Sequence, residues 1–129
     1  IIRKLLAEAE NERMHLMFFI EIAEPSKLER GLIIIAQFIF WHFYLVMYLI
    51  SPRTAHMMTH YFEEEAVKSY TEYLELIEKG EIEDVDAPLM AIEYYGMDVD
   101  ARLSTMIQHI RADEANHSKV NLEYANVLK

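Results

Sequence analysis

Apolar positions along the chain recur at intervals of three and four, the period of helices that bury one stripe. From Ile2 to about Glu24 the stripe runs Leu5, Ala9, Leu16 and Phe19, with Glu12 falling on it, until Pro25 ends the helix. Ser26-Lys27-Leu28-Glu29 then has the Ser-x-x-Glu form of a capping box and opens a second helix. Gly31 to Ile50 follows without a charge, and only Gln37 and His42 are strongly polar interruptions. That stretch is long enough to span a bilayer. Lys27, Arg30 and Arg53 flank it, and Trp41, Tyr44 and Tyr48 supply rings suited to a headgroup boundary. The pattern therefore predicts membrane contact in preference to a fully buried bundle helix, without separating a spanning helix from one lying in a single leaflet.

Ser51-Pro52 is a helix start, and the third helix runs to Lys79 before Gly80 stops it. Its stripe is Val67, Tyr70, Leu74 and Ile77. One turn before Val67 stands Glu63, so of the three consecutive glutamates Glu63 projects with the core-facing set and Glu64 points away. Glu81 to Asp86 reads as an acidic connector without evident function. Ala87 to Tyr95 is expected to form a short helix broken by Gly96, with Asp98 or Asp100 capping the last one. That final helix carries Leu103, Ile107, Ile110, Glu114, His117, Asn121 and Tyr124 on one face. The expectation is an all-α, ferritin-like antiparallel bundle in one domain, residues 1–129.

Two spacings in these helices carry chemistry. Glu12-Arg13-Met14-His15 recurs a hundred residues on as Glu114-Ala115-Asn116-His117, and each pair aims a carboxylate and an imidazole the same way. One such pair on a surface helix signifies little. Two pairs in register with apolar faces, joined by Glu63 on a third face, predict a shared metal centre, because burying these groups without a cation is costly. His42, His56, His60 and His109 lack an acidic partner three residues away on a stripe and read as core or interfacial residues, and the eight methionines read as packing.

Composition narrows the chemistry further. A net charge of -10 argues against nucleic acid, and the absence of cysteine excludes disulfides, thiolate metal sites and cysteine nucleophiles. Oxygen and nitrogen ligands suit iron or manganese, and zinc less comfortably. The sequence opens on Ile1-Ile2 already inside a helical pattern, so an N-terminal truncation is expected.

Asn11-Glu12-Arg13-Met14-His15-Leu16, Glu63-Glu64-Glu65-Ala66-Val67 with Tyr70, and Arg111-Ala112-Asp113-Glu114-Ala115 with His117 resemble the motifs of the alternative oxidases. These are the membrane-bound di-iron quinol oxidases of mitochondria and their plastid relatives. Ser51-Pro52-Arg53, His56 and Gln37 match the intervening pattern, so the resemblance covers essentially the whole chain. It implies a monotopic enzyme attached to one leaflet of the mitochondrial inner membrane, with plastid or bacterial membranes as other settings. There ubiquinol or a related quinol reduces two irons and O₂ is reduced to water. It also implies a possible homodimer or association with respiratory complexes.

By motif match, Glu12, His15, Glu63, Glu114 and His117 would hold metal, and Tyr70 would serve as an electron or radical relay, although a packed tyrosine fits its position equally. Phe62, Glu65, Ala66 and Ser69 match the quinol pocket. Asn11, Asp113 and Tyr95 match residues that orient the ligands through hydrogen bonds, Tyr95 standing where the family usually has tryptophan. The family's sixth ligand, a glutamate on a preceding helix, has no counterpart here, leaving about four long helices less one ligand-bearing helix. Competing expectations are a non-catalytic membrane-associated subunit with the oxidase fold, another di-iron quinone-linked hydroxylase, and a soluble ferritin-like ferroxidase.

Overall fold

The computed structural model describes residues 1–128. Five helices follow in order: α1 (Ile2–Ala23), α2 (Lys27–Ile50), α3 (Pro52–Glu78), α4 (Leu89–Tyr95) and α5 (Leu103–Val127). No sheet forms among the described residues, and an isolated bridge between Asp86 and Arg102 is the sole β pairing there. The architecture is an all-α bundle, as the apolar spacing requires.

Local chemistry sets the helix ends. At α2, Ser26 Oγ accepts from the Glu29 amide at 3.2 Å while the Glu29 carboxylate accepts from the Ser26 amide at 2.6 Å. This completes the capping box. At α3, Ser51 Oγ accepts from the Thr54 amide and Pro52 occupies the first helical position, where its missing N–H costs nothing. Gly96 ends α4 in the left-handed region at φ 65, a conformation a side chain would oppose.

Three expectations need correction. The short helix begins at Leu89 rather than Ala87, because the Ala87 amide is taken by the Ala101 carbonyl and Pro88 serves as N-cap. Neither Asp98 nor Asp100 caps α5. Its N-cap is Arg102, and the first turn is satisfied by Asp84, which accepts from the Ser104 amide at 2.8 Å and its hydroxyl at 2.6 Å. The acidic connector thus has a structural role, reinforced by the Arg102–Asp86 pair at 2.6 Å.

Cross-helix contacts fix direction. His56 meets Asn121, His60 meets Ser118 and Thr71 meets Arg111, so α3 and α5 run antiparallel. Asn11 meets Asp113 and Glu8 meets Asn121, so α1 also runs antiparallel to α5. α2 and α3 form a hairpin in which Tyr44 faces Thr59 and Tyr48 faces His56. The apolar core, with Phe18, Ala91, Leu103, Met106, Ile107 and Ile110 at its centre, lies at the α4 end. Further along α5 the buried face turns polar at Glu114, His117, Ser118 and Asn121.

α2 stands apart. None of its residues is buried, and Ile34, Phe38 and Ile39 each expose more than 60% of their surface. Among the described residues it is the one helix long and apolar enough to cross a membrane, with mean hydropathy 2.0 over an 18-residue window.

Candidate metal centre

The antiparallel pairing of α5 with both α1 and α3 brings their polar stripe positions together. Glu12, Glu63, Glu114 and His117 each offer a ligand atom within 4.8 Å of all the others. Glu114 and His117 are buried, and the Glu63 side chain is 14% exposed while that of neighbouring Glu64 is 57% exposed. Glu63 therefore faces inward among the three consecutive glutamates. His117 Nδ1 lies 2.8 Å from Glu12 Oε1 and 3.9 Å from both Glu63 Oε1 and Glu114 Oε2.

His15 borders this cluster without belonging to its compact set. Its Nδ1 lies 2.9 Å from Glu114 Oε1 and 3.5 Å from Glu12 Oε2, yet the atom is buried without a properly directed hydrogen bond. Its Nε2 is held from behind, 3.0 Å from both Asp113 Oδ2 and the Tyr95 hydroxyl. Asn11 Nδ2 donates to the same Asp113 oxygen at 3.0 Å and to the Tyr94 hydroxyl at 2.9 Å. Anchoring one ring nitrogen on a carboxylate directs the other nitrogen at a metal.

Ionisation reflects this crowding. Burial pushes the Glu63 carboxyl up, and the adjoining Glu114 adds to the rise, to about 10. Burial also opposes charge on Glu12, but the hydrogen bond from His117 and the nearby His15 ring outweigh it and hold the carboxyl at about 2. His15 follows the same logic with opposite sign: burial disfavours the cation, while Asp113, Glu114 and Glu12 raise the ring to about 11. Three carboxylates converging on histidines, with a buried Nδ1 left unbonded, fit a divalent cation, which would replace the proton shared at Glu63 and engage the free ring nitrogen.

Tyr70 lies two turns beyond Glu63 on α3, its ring stacked on Phe19 at 6.1 Å. Burial raises its hydroxyl's pKa, and Glu114 contributes, so the phenol is neutral at physiological pH. Its hydroxyl makes no hydrogen bond among the described residues. Of the residues matched to a quinol pocket, Phe62, Glu65 and Ser69 are exposed and Ala66 is half-buried. Phe62 packs on Phe40 at 6.1 Å and borders a groove of about 630 Å³ shared with Arg53, Met57, Met58 and Tyr61.

Other placements depart from the sequence reading. His56 and His60 are buried as expected, but His42 and His109 are exposed. His42 donates through Nδ1 to the Phe38 carbonyl, and His109 stacks on Tyr95 at 4.7 Å. Glu8 went unrecognised. It lines two clefts together with His117, accepts from Asn121 Nδ2 at 3.2 Å and has its pKa raised by burial. Its position one turn before Glu12 was the available signal. Asn121 is 1% exposed, accepts from His56 Nδ1 at 2.8 Å and donates to the His117 carbonyl at 2.9 Å, tying three helices together.

Known proteins resemble this chain in sequence. Residues 1–126 match the family described as alternative oxidase. Over 120 residues, 93% of the chain, it is 51% identical to "Ubiquinol oxidase 1c, mitochondrial" of Arabidopsis thaliana and covers 36% of that protein. It is 52% identical over the same length to "Ubiquinol oxidase 1a, mitochondrial" of Arabidopsis thaliana, covering 34%, and to "Ubiquinol oxidase 1b, mitochondrial" of Oryza sativa subsp. japonica, covering 36%. The chain thus spans about a third of the length of these relatives, and within that span it carries four groups able to hold one metal ion. With a match running from Ile1 to Asn126 and half of all aligned positions identical, the chain belongs to the alternative oxidase family.

Proposed function

We propose that this chain forms the metal-binding part of a membrane-associated quinol:O₂ oxidoreductase that reduces O₂ to water at a di-iron carboxylate centre. The observation that carries this reading is the convergence of Glu12, Glu63, Glu114 and His117, with the unbonded His15 Nδ1 directed at Glu114. The relatives' names, mitochondrial ubiquinol oxidases, favour iron as the metal, ubiquinol as the reductant and the mitochondrial inner membrane as the location. The exposed apolar length of α2 supports membrane association, and the family resemblance favours attachment to one leaflet.

In this reading Glu12, His15, Glu63, Glu114 and His117 hold the metal. Bound iron would supply the electron chemistry with O₂. The protein's own contribution is arrangement and proton control. Asp113 and Asn11 fix the His15 ring so that Nδ1 faces inward. Burial and the neighbouring Glu114 favour the protonated form of Glu63, and a bound cation would take that proton's place. Tyr70 keeps a neutral phenol near the carboxylates. Phe62, Glu65, Ala66 and Ser69 offer quinol a mixed apolar and polar surface on α3, beside α2, from which an isoprenoid tail could approach.

The full-length protein should bind iron and oxidise quinol with O₂ consumption that cyanide does not stop. Glu114→Ala should lose bound iron and lower activity by more than about a hundredfold, beyond the usual effect of residues that only orient ligands. Full activity and iron content in that variant would refute the assignment. A single-ion, non-catalytic site is the second reading, favoured by a compact set sized for one ion. It predicts one metal per chain and no quinol-dependent O₂ consumption.

A further inference from the structure

We infer that the polar cleft between α1 and α5 is the route by which a metal ion reaches the carboxylate cluster from water, and that Glu8 receives the ion in transit. The inference rests on the metal site proposed above.

The cleft holds about 450 Å³ and includes His117 in its lining, so it joins the surface to a ligand of the cluster. Glu8, Asn11, Asp113 and Asn116 line it with oxygen-bearing side chains, and α2 contributes nothing to it. A second cleft reaches Glu12 and Glu63, but Leu5 and the rings of Phe40, Tyr44 and Tyr48 wall it on the side of the exposed apolar helix. A hydrated divalent cation gives up water only where other oxygens take its place, so apolar walls oppose its passage and polar walls permit it. Glu8 and His117 are the residues common to both clefts. An ion entering from the polar side therefore passes Glu8 before it meets Glu12 and Glu63.

Position and freedom both suit Glu8 to this task. It stands one helical turn before Glu12, so the two carboxylates share a face of α1. Asp113, the other carboxylate in the cleft, is fixed. Its Oδ2 accepts from Tyr95 at 2.6 Å and from Asn11 at 3.0 Å, and lies 3.0 Å from His15 Nε2. Glu8 is half-buried and held by one bond of 3.2 Å from Asn121 to Oε2, and its Oε1 makes no hydrogen bond among the described residues. A carboxylate tethered so lightly can turn from the cleft toward the cluster. Lys4, exposed one turn before Glu8, is the positive charge an entering cation must pass.

Glu8 is not one of the four groups whose ligand atoms converge. A group that only eases passage lowers the barrier in both directions. Its loss slows entry and exit alike and leaves affinity unchanged, whereas loss of a resident ligand weakens binding.

The test uses the full-length protein stripped of metal and mixed with ferrous iron under anaerobic conditions, bound iron being measured after rapid desalting at successive times. Release is followed by adding a ferrous chelator to the loaded protein. Glu8→Gln, whose amide oxygen still accepts from Asn121, should slow uptake and release by about tenfold each while final iron content stays the same. Lys4→Glu should speed uptake several-fold at low ionic strength, an advantage that salt removes. Ala7 is exposed and lines only the polar cleft, so Ala7→Trp should obstruct the route and slow uptake without altering any carboxylate. Unchanged uptake in Glu8→Gln or in Ala7→Trp, or slower uptake in Lys4→Glu, would overturn the inference. Weaker affinity or a lower final iron content in Glu8→Gln would also overturn it, by making Glu8 a resident ligand. Absence of bound iron in the unaltered protein would instead overturn the metal reading, and this inference with it.

Discussion

Glu63 shows what the convergence of carboxylates costs when no cation offsets it. Its folded-state pKa of about 10 lies above the unfolded 4.5, so its protonated form contributes fully below about 4.5 and that contribution is lost as pH rises toward 10. Glu12 and Asp113 act oppositely. Both are depressed to about 2, so their contributions are complete above their unfolded values and disappear as pH falls through 2. His15, raised to about 11, contributes fully below 6.5 and fades as pH rises through its folded value. The metal-free protein should therefore be most stable in mildly acid solution, between the unfolded carboxylate and histidine values. Glu63→Gln should raise metal-free stability at pH 8 by roughly 2 kcal/mol, since the amide needs no proton, and should abolish metal-induced stabilisation. Thermal unfolding across pH, with and without ferrous iron, measures both effects; a variant less stable than its parent at pH 8 would contradict the first. Glu12, Glu63, Glu114 and His117 were legible in the sequence because each falls on an apolar stripe, where a polar residue must be satisfied. Glu8 was not, although it lies one turn before Glu12. Its inward turn depends on the Asn121 amide, 113 residues away in sequence, and no local spacing encodes that partner.

At the scale of helices, existence was legible throughout, while one cap was misassigned for an instructive reason. The local rule places a capping aspartate just before the helix, which favoured Asp98 or Asp100. A free backbone amide instead bonds the nearest suitable oxygen in space. Here the connector folds back, fixed by Ala87 to Ala101, Leu103 to Val85 and Asp86 to Arg102, and delivers Asp84 to Ser104. Asp84→Ala should therefore destabilise the protein by about 1 kcal/mol, the usual cost of losing such a cap. Asp98→Ala and Asp100→Ala should stay within about 0.5 kcal/mol of the parent, as exposed surface changes do. Chemical denaturation of the three variants separates the outcomes, and equal losses would place the cap elsewhere. By contrast, the second and third helices start where the sequence says, because Ser26 with Glu29 and Ser51 with Pro52 are complete signals within four residues. The difference is whether the partner lies within the same turn.

For the molecule as a whole, the uneven distribution of apolar surface is the dominant feature. α3 and α5 bury their stripes against each other and α1 sends in His15 and Phe18 while its own stripe stays half-buried or, at Ala9, exposed, whereas α2 touches the bundle along a seam of Phe40, Tyr44 and Tyr48 and leaves the remainder open. An apolar surface of this size on a helix marks a place where something other than water belongs. Lipid is the reading favoured here, because Lys27 and Arg30 stand at one end of the uncharged stretch and Arg53 just past the other, with Trp41 exposed between them. Placing charge on the open face should then separate membrane attachment from metal binding. Ile35 and Ile39 are 57% and 63% exposed and outside the seam, so the pair Ile35→Glu and Ile39→Glu should leave the fold and iron content unchanged. Loss of two inserted side chains, each worth about 1.5–3 kcal/mol, should weaken association with phospholipid vesicles by more than about a hundredfold. Flotation of the full-length protein with vesicles of mixed zwitterionic and anionic phospholipid measures this directly. Unchanged flotation with intact iron binding would mean that α2 is covered by protein rather than lipid.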